Sequence, residues 1–137
     1  MKILVTDPIA DAGLERLRAA GHEVATDYEA EGAALREAIA DAHGLIVRSG
    51  TEVTADLLAV APELQIVGRA GIGVDNIDIE AATEHGVIVA NAPEGNVRAA
   101  AEHTVAMAFA TARSIPQAHA RLTTGEWAKG EFLGAEL

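Results

Sequence analysis

Five short apolar runs alternate with segments of helical periodicity between residues 2 and 89, and this alternation limits the fold more than any other feature. The runs occupy residues 2–6, 22–26, 44–47, 64–68 and 87–89. Strands that are apolar at consecutive positions are buried on both faces, which is typical of a parallel sheet between two layers of helices. We therefore predict an α/β fold with a doubly wound parallel sheet of about five strands, covered by helices on both faces.

The character of the chain changes at residue 97. Alanine and other apolar residues then recur at helical spacing to about Leu122, which predicts one long helix that is bent near Pro116. This helix is too long for an ordinary crossover between strands, and no later element of the chain is available to cover its apolar face. We therefore expect two parts, a ligand-binding domain over residues 1–96 and the beginning of a second domain over residues 97–137.

The composition excludes several classes of function. Acidic residues outnumber lysine and arginine by 21 to 10, a formal net charge of −11, which argues against binding nucleic acid through its phosphates. The absence of cysteine excludes disulfides, thiolate metal ligands and a cysteine nucleophile. The five histidines include no pair at the i, i+4 spacing of a helical zinc site, so we expect no metal site.

Nothing in the sequence predicts attachment to a membrane. No apolar run approaches the roughly 20 residues that a transmembrane helix requires. At the start of the chain only a short apolar run precedes Asp7 and Pro8, unlike the core of a secretory signal peptide. A cytoplasmic location is therefore expected.

Polar residues follow the third predicted strand directly, in the sequence RSGT at 48–51. Ligands of open α/β sheets bind at the carboxyl ends of the strands, so this position favours a binding role. Arginine offers several donors to a carboxylate or phosphate, and the hydroxyl groups of the segment add others. The alternative is that Arg48 is a surface residue paired with Glu52 or Asp56.

A second candidate segment follows the fourth predicted strand, in the sequence RAGIGVDN at 69–76. Its glycines, Gly71 and Gly73, allow backbone amides to approach an anion without obstruction by a side chain. The spacing superficially resembles the dinucleotide fingerprint, but Asn76 occupies the third glycine position and Asn91 stands where the fingerprint requires an acidic residue. We therefore predict an anion site here and reject the segment as a cofactor loop.

The segment NAPEGN at 91–96 leads from the last strand into the long helix. The free amides and the dipole at the start of a helix favour an anion, and Asn96 is placed to cap this helix with its side chain. Glu102 and His103 point about 100° apart on the helix, so we expect structural roles for both. The chain contains no phosphate-binding P-loop and no nucleophile elbow.

Four strings, in this order and spacing, resemble the D-2-hydroxyacid dehydrogenase superfamily and, within it, the branch that oxidises 3-phosphoglycerate. They are VRSGTEVT at 47–54, VGRAGIGVDNID at 67–78, NAPEGN at 91–96 and AEHT at 101–104. Residues 115–118 and 125–127 fit the same pattern, so the resemblance covers essentially the whole chain. It implies a flavodoxin-like substrate-binding domain, then a long helix that crosses into a Rossmann domain, which in the family binds NAD and forms the dimer.

The resemblance implies substrate-binding roles for one set of residues: Arg48, Ser49, Arg69, Gly71, Ile72, Gly73 and Asn96. The side chains of Arg48, Ser49 and Arg69 would contact the phosphate or carboxylate of the substrate. The amides of residues 71–73 would hold the carboxylate, and Asn96 would help to shape the cleft.

Other residues would lie near the cofactor. The resemblance places Ile72, Ala100 and Thr104 beside the nicotinamide of NAD, most of which would be bound outside this chain. Some relatives carry threonine at the position of Ile72, so the hydrogen bond of that hydroxyl group is not expected here, and Gly50 replaces a frequent alanine. The arginine, glutamate and histidine that catalyse the family's reaction lie downstream, so no catalytic residue is assigned in this chain.

The reaction implied by the resemblance is the NAD-dependent oxidation of 3-phosphoglycerate at its C2 hydroxyl group, the entry step of serine synthesis. The chain would be the substrate-binding part of a homo-oligomeric enzyme, cut before the cofactor loop and inactive alone. Two alternatives stay open. One is a relative that acts on glyoxylate or hydroxypyruvate, and the other is a module that binds a small anionic metabolite without catalysis.

Overall fold

A computed structural model describes all 137 residues of the chain, which form two compact units, Met1–Gly95 and Asn96–Leu137. The predicted alternation of five strands with helices is confirmed in the first unit. Its elements are β1 (Lys2–Val5), α1 (Asp11–Ala19), β2 (Glu23–Thr26), α2 (Gly32–Ile39), β3 (Gly44–Val47), α3 (Ala55–Leu58), β4 (Ile66–Arg69), α4 (Ile79–Glu84) and β5 (Ile88–Asn91).

The fourth strand begins at Ile66, later than the apolar run that predicts it. The backbone N–H of Leu64 donates to the carbonyl oxygen of Ala61 at 3.1 Å and so closes a turn. Bonding to the β3 side of the sheet starts one residue further on, where the N–H of Gln65 donates to the carbonyl oxygen of His43 at 2.9 Å. Leu64 is apolar because its side chain is buried in the core, although its backbone lies outside the strand.

All five strands are parallel and lie in the order β2-β1-β3-β4-β5. This is the flavodoxin-like order, so the predicted doubly wound sheet is confirmed. At the carboxyl edge Val47 of β3 pairs with Arg69 of β4, and Arg69 pairs with Asn91 of β5. The loops that follow these strands therefore leave the sheet side by side.

Two apolar clusters hold the helices to opposite faces of the sheet. The larger cluster packs α2, α3 and α4 on the sheet and includes Ile39 and Val67, which are fully buried. Burial of a side chain of this size contributes about 1.5–3 kcal/mol. The smaller cluster holds α1 alone, through Leu14, against Ile3 and Val5 of β1.

Helices lie on both faces of the sheet, as predicted, but they cover the two faces unequally. On the α1 face Ile66 is 37% exposed and Ile88 is 64% exposed. Right-handed connections from β2 to β3, β3 to β4 and β4 to β5 run in one direction across the sheet, and they place three helices on one face. The connection from β1 to β2 runs in the other direction, so α1 is the only helix that the first unit places on the second face.

The second unit contains two helices, α5 (Val97–Ala112) and α6 (Ile115–Thr123), followed by turns and irregular structure. The prediction of one long helix to about Leu122 is therefore wrong. The break lies at Ser114, whose φ of 51° is in the left-handed region that side chains rarely adopt.

Pro116 explains the break between α5 and α6. In a continuous helix its ring would clash with the carbonyl group of Ala112, and it has no N–H to donate to that group. The carbonyl oxygen of Ala112 instead accepts a hydrogen bond from the backbone N–H of Ala135 at 2.7 Å. The sequence predicted a bend near Pro116, and the structure instead ends α5 and begins α6 there.

The helices of the second unit bury none of their residues in this chain. Val105 is 56% exposed and Phe109 is 52% exposed, one helical turn apart on α5. None of the helices has both the length and the apolar character that crossing a bilayer would require.

Candidate anion-binding site

The loop that follows β3, residues 48–51, is called the β3 loop here, and the side chain of Asp7 holds both of its ends. Asp7 comes after β1 and is 9% exposed. Its Oδ2 accepts hydrogen bonds from the backbone N–H of Arg48 at 2.5 Å and of Thr51 at 3.2 Å. The hydroxyl group of Thr51 also donates to that of Thr6 at 2.8 Å. These bonds tie the β3 loop to the end of β1.

Asn76 holds the other polar groups of the same two loop residues. Its Nδ2 donates to the carbonyl oxygens of Arg48 and Thr51, at 2.8 Å and 2.6 Å. In a trans peptide the N–H points away from the carbonyl oxygen of the preceding residue, and the chain has no cis peptide. The N–H of Ser49 therefore points away from Asn76, and neither it nor the N–H of Gly50 has a partner in the chain.

The guanidinium group of Arg48 makes no ion pair. Its only hydrogen bond goes from Nη1 to the carbonyl oxygen of Pro8 at 3.4 Å. The alternative in which Arg48 pairs with Glu52 or Asp56 is wrong, because Asp56 pairs with Arg36 at 3.4 Å and Glu52 has no ion pair. Arg48 therefore offers an exposed cation with several free donors at the carboxyl edge of the sheet.

The loop after β4, residues 70–75, is called the β4 loop, and the carbonyl oxygens of its residues 71–73 accept hydrogen bonds from other parts of the protein. The oxygen of Gly71 accepts from the N–H of Ala92 at 2.9 Å, and that of Ile72 from Asn91 Nδ2 at 2.6 Å. The oxygen of Gly73 accepts from Arg69 Nη1 at 2.5 Å. By the same peptide geometry, the N–H groups that follow point away from these donors, and none has a partner in the chain. The β4 loop thus offers a row of free amides.

The side chain of Arg69 fills the space beneath the β4 loop and joins the two loops. Its Nε donates to the carbonyl oxygen of Arg48 at 3.1 Å and to Asn76 Oδ1 at 2.6 Å. The side chain is only 9% exposed, and its Nη2 lies 3.7 Å from Asp75. A Cβ on Gly71 would lie 2.8 Å from Arg69 Nη1, so a larger residue there would displace the end of the arginine side chain.

A cleft of about 430 Å³ adjoins the β3 loop on the side of α2. Its charged lining residues are Asp7, Glu31, Glu52 and Arg36, and the last of these is paired with Asp56. Carboxylates outnumber cations in this cleft, so it does not suit an anion. The candidate anion site is therefore assigned to Arg48 and the free amides of the two loops and not to this cleft, although Gly50 of the β3 loop also lines the cleft.

The remaining predicted site residues lie in the second unit and are exposed. Asn96 begins α5, but its side chain makes no capping hydrogen bond, so the prediction of a side-chain cap is wrong. Its ψ of 13° departs from the extended backbone that aims a cap at the first amides of a helix. The hydroxyl group of Thr104 donates to the carbonyl oxygen of Ala100 at 2.8 Å within the helix.

Three residues that shape the loops were missed from the sequence, namely Asp7, Asn76 and Asn91. In the sequence analysis Asp7 only marks the end of an apolar run. Asn76 and Asn91 are interpreted there as departures from the dinucleotide fingerprint. Asp7 and Asn91 follow or end strands at the carboxyl edge, which is a usable signal. Asn76 lies beyond the β4 loop, and no pattern in the sequence marks its contacts.

The whole of this arrangement lies within a segment that matches one protein family. Residues 3–127 match the D-isomer specific 2-hydroxyacid dehydrogenase, catalytic domain. The chain belongs to this family. The predicted resemblance to the D-2-hydroxyacid dehydrogenases is thereby confirmed.

Curated relatives of the chain within the 2-hydroxyacid dehydrogenases include several D-3-phosphoglycerate dehydrogenases. The one from Methanocaldococcus jannaschii is 51% identical and the one from Archaeoglobus fulgidus is 42% identical, both over 100% of this chain. The human one is 44% identical over 99% of this chain. The chain spans 26% of the length of each of these relatives.

Solved structures of similar proteins share the fold. The TT0316 protein from Thermus thermophilus has a TM-score of 0.88 at 31% identity, over 100% of this chain and 46% of that one. An NAD+-bound 3-phosphoglycerate dehydrogenase from Entamoeba histolytica has a TM-score of 0.73 at 35% identity, over 82% and 39% of the two chains. D-Lactate dehydrogenase from Aquifex aeolicus has a TM-score of 0.83 at 18% identity, which shows a common fold alone.

Proposed function

We propose that the chain is the substrate-binding part of a cytoplasmic, NAD-dependent enzyme that oxidises 3-phosphoglycerate to 3-phosphohydroxypyruvate, the entry step of serine biosynthesis. Membership of the 2-hydroxyacid dehydrogenases and the names of the curated relatives support the reaction. The observation that carries the proposal is the combination of Arg48, free of any carboxylate, with unpartnered backbone amides on the β3 and β4 loops.

The two anionic groups of 3-phosphoglycerate suit the two loops. Arg48, the hydroxyl group of Ser49 and the free amides of Ser49 and Gly50 are donors for one anion. The amides of Ile72 and Gly73 are donors for the other, whereas the amide of Gly71 already donates to the carbonyl oxygen of Arg69 at 2.8 Å. Hydrogen bonds to a charged partner contribute about 1.5–3 kcal/mol each. Arg69 would reach the substrate only through Nη2, which makes no hydrogen bond in the chain and lies 3.7 Å from Asp75.

NAD would be bound mainly by residues outside this chain. The β4 loop does not fit a dinucleotide, because Arg69 fills the space beneath it and the third glycine of the fingerprint is absent. Ile72, which is 42% exposed, would line the nicotinamide together with Ala100 and Thr104. Asn96 would help to shape the cleft, and the enzyme would act as a homo-oligomer. NAD accepts the hydride when bound, and no residue of this chain is assigned as the base.

A titration followed by ¹H–¹⁵N NMR tests the site directly. The ligand is 3-phosphoglycerate, and the amide signals of Ser49, Gly50, Ile72 and Gly73 should shift together. Replacing Arg48 with alanine should weaken binding by about tenfold or more, because a charged hydrogen-bonding partner is lost. Arg18→Ala is the matched control, since Arg18 is an exposed arginine on α1 that makes no ion pair. Equal affinity of the two variants, or shifts confined to other residues, would contradict the proposal.

Parallel titrations separate the alternatives. D-Glycerate lacks the phosphate group, so binding as tight as that of 3-phosphoglycerate would favour an enzyme that acts on glyoxylate or hydroxypyruvate. The gene sequence beyond Leu137 separates an enzyme from a binding module. An in-frame Gly-x-Gly-x-x-Gly after a predicted strand supports the dehydrogenase, and a stop codon supports the module.

A further inference from the structure

The two ends of the β3 loop are held by buried side chains that belong to other parts of the chain. Asp7 accepts from the N–H groups of Arg48 and Thr51, and Asn76 donates to the carbonyl oxygens of the same two residues. Both polar groups of each end residue are therefore fixed, and the two residues between them are exposed with free amides. We propose that Asp7 and Asn76 are positioning residues, which set the β3 loop in the conformation that binds the substrate anion.

The proposal rests on the proposed function for the identity of the anion, but its geometry is independent of that function. The side chain of Asn76 uses all of its hydrogen-bonding groups, because Nδ2 donates twice and Oδ1 accepts from Arg69 Nε. Arg69 in turn donates to the carbonyl oxygen of Gly73 in the β4 loop. Asn76 thus sets the β3 loop and, through Arg69, the β4 loop.

The backbone of Asn76 is anchored separately from its side chain. Its carbonyl oxygen accepts from the N–H of Val53 at 2.8 Å, and the N–H of Asp78 donates back to Val53 at 2.9 Å. Val53 and Ile77 form a parallel bridge at this point. A substitution of the Asn76 side chain therefore leaves the course of the chain fixed and removes only the bonds to the loops.

The charge of Asp7 separates a positioning role from direct binding. A carboxylate near an anion site repels the ligand, so Asp7 lowers affinity by its charge while it orders the β3 loop by its bonds. Asparagine at position 7 retains an acceptor oxygen for the two amides and removes the charge. The added amide nitrogen would occupy the place of Oδ1, which accepts no hydrogen bond in the structure. Asp7→Asn should therefore raise the affinity for an anion relative to the natural chain, whereas Asp7→Ala should lower it.

Hydrogen exchange without ligand is the first test. By NMR, the amides of Arg48 and Thr51 should exchange at least tenfold faster in Asp7→Ala and in Asn76→Asp, and near the natural rate in Asp7→Asn. Asn76→Ala is a second variant that removes the bonds to Arg48 and Thr51 without adding charge, and it also removes the acceptor for Arg69 Nε. The amide of Ile46 inside β3 is the internal reference and should not change. Natural exchange rates at Arg48 and Thr51 in Asp7→Ala and Asn76→Ala would overturn the proposal.

Titration of the same variants with 3-phosphoglycerate is the second test. Asp7→Asn should bind at least as tightly as the natural chain, whereas Asp7→Ala and Asn76→Asp should bind about tenfold more weakly. Equal affinity in all variants despite faster exchange would overturn the positioning role. If the natural chain binds no anion while exchange responds as expected, the proposed function fails and the ordering of the loop by Asp7 and Asn76 stands.

Discussion

Arg69 Nε donates to Asn76 Oδ1 at 2.6 Å, and this bond makes one of the two arginines of the candidate site part of its framework. Arg48 follows β3 and Arg69 ends the neighbouring strand β4, yet their side chains differ in exposure and in hydrogen bonding. Arg69 is 9% exposed and donates to three oxygens of the protein. Arg48 is exposed and has one long hydrogen bond. The first arginine orders the loops, and the second is free for a ligand.

Replacing Arg69 with lysine should lower the free energy of unfolding by about 1–3 kcal/mol. Lysine carries its three donors on a single nitrogen, which cannot lie both at the position of Nε, beside Arg48 and Asn76, and at the position of Nη1, beside Gly73. Urea unfolding followed by circular dichroism measures the change. Arg18→Lys is the control, and this exposed substitution should stay within about 0.5 kcal/mol of the natural chain. Similar unfolding curves for both variants would count against a framework role for Arg69.

Gly134→Ala should disrupt the hydrogen bond that Ala135 makes to Ala112. Gly134 has a φ of 60°, and an added Cβ would lie 2.8 Å from the Cα of Arg113 and against the carbonyl oxygen of Ala112. Alanine is strained at this φ by about 1 kcal/mol before the contacts are considered. The amide of Ala135 should then exchange faster with solvent. Gly130→Ala is the matched control, because nothing lies within 4 Å of an added Cβ there, and equal exchange in both variants would contradict the prediction.

The hydrogen bond from the Lys2 side chain lowers the pKa of the Asp41 carboxyl group, and the charge of Lys2 lowers it further. Replacing Lys2 with methionine should therefore raise the pKa of Asp41, as measured by NMR titration of its side-chain carbon. A lowered pKa in the folded state stabilises the fold above the pKa of the unfolded chain, and this contribution disappears as pH falls through the folded value. Lys129→Met removes the only other lysine and should leave Asp41 unchanged; a shift of equal size would exclude the pairing.

The chain should self-associate through α5 at high concentration. Val105 and Phe109 lie on neighbouring turns and are each more than half exposed. Contact between two such faces would remove this apolar surface from water. Sedimentation velocity over a range of concentrations measures the association, and Val105→Asp should weaken it. A single monomeric species at the highest concentration would contradict the prediction.

The strands were predictable because short apolar runs of three to five residues that alternate with helical segments are typical of the buried strands of an α/β fold. The limits of β4 were less accurate, because Leu64 is buried for reasons of packing and not of sheet pairing. The sequence predicted a bend near Pro116, whereas the structure has a complete break between two helices before it. It could have been predicted from the clash of a proline ring with the fourth carbonyl group before it.

The loop residues Arg48, Ser49, Gly71 and Gly73 were predicted from position, since polar residues and glycines at the carboxyl ends of parallel strands are typical of binding sites. The partners of these loops were not predictable. Asp7 and Asn76 act on backbone groups 41 and 28 residues away in the chain, and such contacts follow from the folded arrangement alone. A buried polar side chain among apolar neighbours is the only local sign of such a role.

The carbonyl groups of residues 71–73 in the β4 loop accept hydrogen bonds from the protein, so that backbone amides and an arginine are left to bind the ligand. Backbone amides do not ionise, and arginine stays charged throughout the range in which proteins fold. No histidine lies in either loop. The ionisable groups of the protein at this site are carboxylates, Asp7 and Asp75. Near pH 6 the protons released or taken up on binding should therefore come from the ligand, whose phosphate group loses its second proton there. The affinity of this surface for a phosphate ester should rise as the ligand becomes dianionic and then stay level, so that the ligand and not the protein sets the pH response.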